Sequence, residues 1–128
     1  MNPITNPMEA IAATASLPLV VADEGIARCA GNKGLFIRLL GKYANEELKV
    51  TQPFEAFAAP ENQETSVREA HTQKGTCANL SVESLRRHSE VVEQLAKAGA
   101  VTREIYDGWV AAIIRTKQEL REYIAANS

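Results

Sequence analysis

Apolar residues recur along this chain at spacings of three and four, the repeat of an amphipathic helix. Leu35, Phe36, Leu39, Leu40 and Tyr43 predict a helix over residues 33–51, limited at its far end by Pro53. Leu85, His88 or Ser89, Val92 and Leu95 stripe a second, over 82–98, which Gly99 ends. Ile105, Trp109, Ala112, Ile113, Thr116, Leu120 and Ile124 form the long face of a third, over 103–126, with Thr102 as its cap. A shorter helix fits 24–30, capped by Asp23 and followed by a Gly31-Asn32 turn.

The remaining long helix should start near Pro60 or Glu61 and end near Asn79 or Leu80, with Ser81 or Ser84 capping its successor. Its apolar stripe is weak. At about 100° per residue, Ser66, Ala70, Gln73, Cys77 and Leu80 share the side that faces a core. Val67, Arg68, His71, Lys74, Gly75 and Ala78 share the opposite face. Phe54 and Phe57 fall in a link before this helix and suit core or seam packing.

No stretch alternates at period two for long enough to make a strand. The expected class is all-α, an up-and-down four-helix bundle with a short extra N-terminal helix. Residues 1–17, with Pro3, Pro7 and a run of Ala, Thr and Ser, read as a flexible leader. Residues 18–128 read as the bundle domain, with Leu17 to Val21 laid over one end of it.

Composition narrows the function. A chain of 128 residues makes one domain and can bury a core without metal or disulfides. Fourteen basic against sixteen acidic residues give a net charge of −2, which argues against a nucleic-acid binder. Arg86-Arg87-His88 reads as a solvated helix face. Cys29 and Cys77 lack short metal-ligand spacing and read as free, buried thiols. The apolar run from Ala10 to Ala22 has no preceding Lys or Arg and is broken by Pro18, which speaks against a cleaved signal. No run reaches the length of a membrane span.

The most informative segment is Ala70-His71-Thr72-Gln73-Lys74-Gly75. A lone histidine is commonly a packing residue. Here a lysine follows one turn later, and then a glycine, which costs a helix interior about 0.5–1 kcal/mol relative to alanine. A helix that keeps such a glycine has a use for bare backbone. A histidine, a cation and a bare patch on one face suit a phosphate group approached by another protein.

This segment resembles the hallmark of the histidine-containing phosphotransfer (HPt) domain, A-H-x-L-K-G followed by small residues and an apolar position, here Leu80. The resemblance extends to Glu24-Gly25-Ile26-Ala27-Arg28 and Leu35-Phe36-Ile37-Arg38-Leu39-Leu40 upstream, and to Leu80–Leu85 with Val92-Glu93 downstream. It covers about residues 18 to 126. Two positions depart from the pattern: Gln73 stands where the family usually has leucine, and Ser81 where it often has glycine.

The resemblance implies a phosphocarrier of a two-component phosphorelay. His71 would accept a phosphoryl group from a receiver-domain aspartate and pass it to another. Lys74 would offset phosphate charge, with Arg68 adding to the field, and Gly75 would admit the partner. Val67, Arg68 and Ala78 would belong to the docking surface, with the small and apolar residues at its centre and the charges at its edge. The chain would need no cofactor of its own, because the receiver supplies Mg²⁺. Partners would be response-regulator receivers, or a hybrid histidine kinase, met by a monomer in the cytoplasm. No Gly-rich phosphate loop is present, so kinase activity from ATP is not expected. One rival reading is a helical adaptor that docks receivers or kinases without transfer. A metal-binding or hydrolytic bundle using His71, Cys77 and His88 is a weaker one, since their spacing does not converge. His88 as phosphoacceptor lacks a following Lys-Gly and falls on the packed stripe.

Overall fold

The computed structural model describes residues 6–128 and is all-helical, with no strand among them. The α-helices are α1 (Pro7–Ala13), α2 (Ala22–Arg28), α3 (Lys33–Lys42), α4 (Phe54–Phe57), α5 (Gln63–Asn79), α6 (Glu83–Lys97) and α7 (Arg103–Asn127). None is long and apolar enough to cross a membrane.

The helices α5 and α6 form an antiparallel pair joined by a three-residue turn, and α7 packs against both α6 and α3. The core runs between them, with Phe36, Leu40, Tyr43, Val82, Leu85, Val92, Trp109 and Leu120 almost wholly buried. Trp109 satisfies its one donor on Ser89 Oγ at 3.1 Å. Its ring lies 5.6 Å from that of Phe57, and Phe54 and Phe57 both tilt against Tyr106. The two phenylalanines therefore pack, as expected. Gly25 is required by contact: a Cβ there would lie 2.3 Å from the Phe36 ring.

Several boundaries differ from the sequence reading. Part of the expected leader is helical: Asn6 Oδ1 accepts from Glu9 N and Pro7 opens α1, a good N-cap followed by a good first residue. Residues 1–5 of that leader lie outside the described part. Thr14 is buried, and its carbonyl accepts from Ser84 Oγ at 2.9 Å, so this segment lies on α6. Asp23 sits inside α2, whose N-cap is Val21.

The helix expected over 33–51 leaves α-geometry early. Residues Tyr43–Glu47 widen into a π-turn, and the Glu47 and Lys49 carbonyls then turn to the Gln73 side chain. Neither Ser81 nor Ser84 caps α6. Its free N–H groups at Glu83 and Ser84 donate instead to the backbone carbonyls of Leu19 and Pro18, at 3.1 and 3.0 Å. Ser81 does a different job. It turns the chain between α5 and α6 with φ at +56°, a left-handed conformation that suits glycine, while its hydroxyl donates to Glu24.

Candidate functional site

Helix α5 holds its His71 face outward because its other face is committed. Ser66, Ala70, Gln73 and Cys77 are buried. Gln73, buried on that face, has a partner for each of its polar atoms. Its Nε2 donates to the carbonyls of Glu47 and Lys49 at 2.9 and 3.1 Å, and its Oε1 accepts from Tyr43 Oη at 3.1 Å. A buried amide so partnered carries little desolvation penalty. Cys77 Sγ also lies 3.1 Å from Tyr43 Oη, and burial pushes its pKa up to about 12, which leaves an unreactive thiol. Burial likewise pushes the Tyr43 phenol up. Cys29 is a half-buried free thiol, not the fully buried one expected.

His71 projects from the middle of α5 with 63% of its side chain exposed. Its Nδ1 lies 2.8 Å from Oε2 of Glu93, on α6. The Glu93 carboxyl is only 3% exposed. Oε1 of the same carboxyl faces Lys74 Nζ at 2.7 Å, an ion pair without a well-aligned hydrogen bond, and Lys97 Nζ lies 3.6 Å from Oε2. Burial alone would raise the pKa of Glu93. Contacts from Lys74 and His71 outweigh it and hold the group below the usual carboxylate range.

That assignment fixes the ring. An ionised carboxylate only accepts, so Nδ1 must carry the proton in the Glu93 hydrogen bond. In the neutral ring Nε2 then keeps its lone pair. The exposed edge of His71 therefore offers a lone pair in the neutral ring, and the ring is held by a buried charge on the neighbouring helix.

Lys74, Gly75 and Ala78 are all half-buried beside His71. Lys74 is held by Glu93 in the resting state, where the sequence suggested a free cation. A Cβ on Gly75 would meet nothing within 4 Å, so no contact inside this chain requires the glycine. Val67 is half-buried against the core. Arg68 is exposed and pairs with Glu64 at 3.3 Å, and it borders a shallow cleft with Lys49, Thr51, Glu69 and Thr72 on the flank away from Lys74. Arg68 is thus engaged with Glu64 and this cleft, while Lys74 is engaged with Glu93.

His88 is 4% exposed on the inner side of α6, its Nε2 without a partner, which removes it as a surface phosphoacceptor. Arg86 and Arg87 pair with Glu83 and Glu90. Among the described residues no group of three or more His, Cys, Asp or Glu side chains could hold a metal ion.

Sequence reasoning missed Glu93 as the partner of His71 and Lys74. The available signal was its place beside the Leu85, Ser89, Val92 stripe of α6, where a charge needs a partner. Comparison with protein-family models, curated proteins and solved structures returned no match.

Proposed function

We propose that the chain is a histidine phosphotransfer protein, in which α3, α5, α6 and α7 form the four-helix bundle, α2 is the short N-terminal helix, and His71 carries the phosphoryl group. The observation that carries this reading is the His71–Glu93 hydrogen bond, because it leaves Nε2 unprotonated on an exposed, rigidly based ring.

The chemistry follows from the tautomer. The Nε2 lone pair attacks the phosphorus of a receiver acyl phosphate. The P–O bond to the aspartate breaks, and its electron pair returns to the aspartate carboxylate. Nδ1 keeps its proton, so the phosphorylated ring is cationic, and the Glu93 carboxylate lies 2.8 Å away to balance it. Transfer onward reverses these bonds. The receiver brings Mg²⁺; this chain contributes a nucleophile held in place by Glu93 and two neighbouring ammonium groups.

Gly75 supports the same reading from another side. Open space at a glycine that destabilises its own helix suits the close approach of a partner. Val67 and Ala78 provide an apolar centre beside His71, and Lys74 and Arg68 provide charge at its edge, as in a transient interface. The setting this implies is the cytoplasm, with receiver domains as donor and recipient.

Amide shift mapping with an unphosphorylated receiver tests the surface. Perturbations should centre on 67–78 of α5 and the facing part of α6, and Val67→Glu or Ala78→Glu should weaken them. Shifts centred on Lys117 and Glu122 of α7 would contradict it. Docking at His71 with no transfer from a charged receiver would favour the plain adaptor.

A further inference from the structure

The Glu93 carboxylate is over-supplied with cations. Oε2 takes both His71 Nδ1, at 2.8 Å, and Lys97 Nζ, at 3.6 Å, while Oε1 takes Lys74 at 2.7 Å. Two ammonium groups therefore stand against one carboxylate, a surplus of one positive charge when the ring is in its nucleophilic, neutral form.

The two lysines are not held alike. The Lys74 side chain is 26% exposed and in close contact, whereas that of Lys97 is 51% exposed and lies beyond hydrogen-bond distance of its oxygen. An ion pair with a half-exposed ammonium at that separation holds weakly. The base of Lys97 is nevertheless fixed. Gln63 Nε2, reaching across from the first turn of α5, donates to the carbonyls of Ala96 and Lys97 at 3.1 and 2.9 Å. Its backbone is anchored, its stem runs back along α6 toward Glu93, and its ammonium is loose, next to the oxygen that holds the histidine.

We propose that Lys97 is the phosphate ligand, parked on Glu93 while His71 is free and transferred to the phosphoryl oxygens once Nε2 is phosphorylated, with Lys74 kept on the carboxylate. The proposal rests on the phosphocarrier reading and adds a residue to it. A phosphoryl dianion on Nε2 outbids a carboxylate that already has Lys74 and a cationic ring as partners. The new charges also close the balance. Two negative charges arrive on the phosphoryl group, one positive charge appears on the ring, and the resting surplus is cancelled. Lys74 remains on Oε1 and holds Glu93 in place, so the histidine stays oriented while Lys97 moves.

The test loads parent protein, Lys97→Met and Lys97→Arg from phosphoramidate or from a receiver charged with acetyl phosphate, and follows the phosphohistidine ³¹P shift against pH. A cation on the phosphoryl oxygens favours the dianion, so Lys97→Met should raise the midpoint of its last ionisation by about half a pH unit. Lys97→Arg should keep it within a fraction of that change. Helical circular dichroism should be the same in all three, since the Lys97 side chain is half exposed. Loading of all three proteins with the same midpoint in Lys97→Met and parent overturns the inference and leaves the carrier reading standing. Failure of the parent to form any acid-labile phosphate overturns both.

Discussion

Oε2 of Glu93 stands 2.8 Å from Nδ1 of His71, and it does so from a different helix, almost completely shielded from water. A charge buried this far is costly unless paired. Here the pairing does two things: Lys74 and His71 stabilise the carboxylate, and the carboxylate selects the ring tautomer.

Replacing Glu93 by Gln should release that selection, because an amide offers a donor as well as an acceptor. ¹⁵N shifts of the His71 ring above its titration range should report Nδ1–H in the parent and a mixture in the variant. Transfer from a charged receiver should slow by roughly tenfold or more, the order expected when a nucleophile's orienting partner is lost. An unchanged tautomer would mean that Glu93 is only a structural ion pair.

Gly75 separates stability from docking. Since a Cβ there meets nothing, Gly75→Ala should stabilise the protein by up to about 1 kcal/mol, raising Tm by roughly 4 °C. Gly75→Leu should also fold, yet lose receiver affinity through bulk. Calorimetry gives the first result and titration with a receiver the second. Equal receiver affinity in the leucine variant and the parent would remove the close-approach argument.

Ser81 is buried in the turn at φ +56°. The left-handed conformation costs a non-glycine residue about 1–2 kcal/mol, which Ser81→Gly would relieve. Against that stand the lost bond to Glu24 and a more flexible unfolded chain. Ser81→Gly should therefore lie within about 1 kcal/mol of the parent, and Ser81→Val should cost at least 2 kcal/mol, roughly, through the added β-branch at positive φ. Urea unfolding of the pair decides it. A valine variant as stable as the glycine variant would show the turn to be unstrained.

His88 gives the fold an acid limit. Burial first, and then the charge of Arg115, push its pKa down to about 4 from 6.5. The folded state thus binds its proton more weakly than the unfolded chain does. The contribution is present above pH 6.5 and is lost as pH falls toward 4, by about 3 kcal/mol over that window. His88→Leu should flatten this part of the stability profile, measured by urea unfolding from pH 7 to 4. A parallel decline in parent and variant would assign the acid sensitivity elsewhere.

The sequence made the long helices legible where packing is strong. Trp109, Ile113 and Leu120 repeat at helical spacing and are buried as that spacing requires. It also marked His71, because lysine and glycine follow at fixed offsets on one helix. Partners from other elements left weaker traces. Glu93 is local to α6 but acts on α5, and one acid in a polar helix looks solvated until its stripe is drawn. The carbonyl caps from Pro18 and Leu19 left none, since backbone groups carry no residue signature. The π-turn after α3 bonds at both its ends to Gln73, thirty residues from Tyr43.

The most direct measurement of the account is phosphoryl transfer from a ³²P-labelled receiver to parent protein, His71→Ala and His88→Ala. Acid-labile, base-stable label should appear on the parent and on His88→Ala, and be absent from His71→Ala, with the label on Nε2. Label that persists without His71, or a parent that takes none from any receiver of a broad panel, would contradict the assignment of this chain as a phosphocarrier.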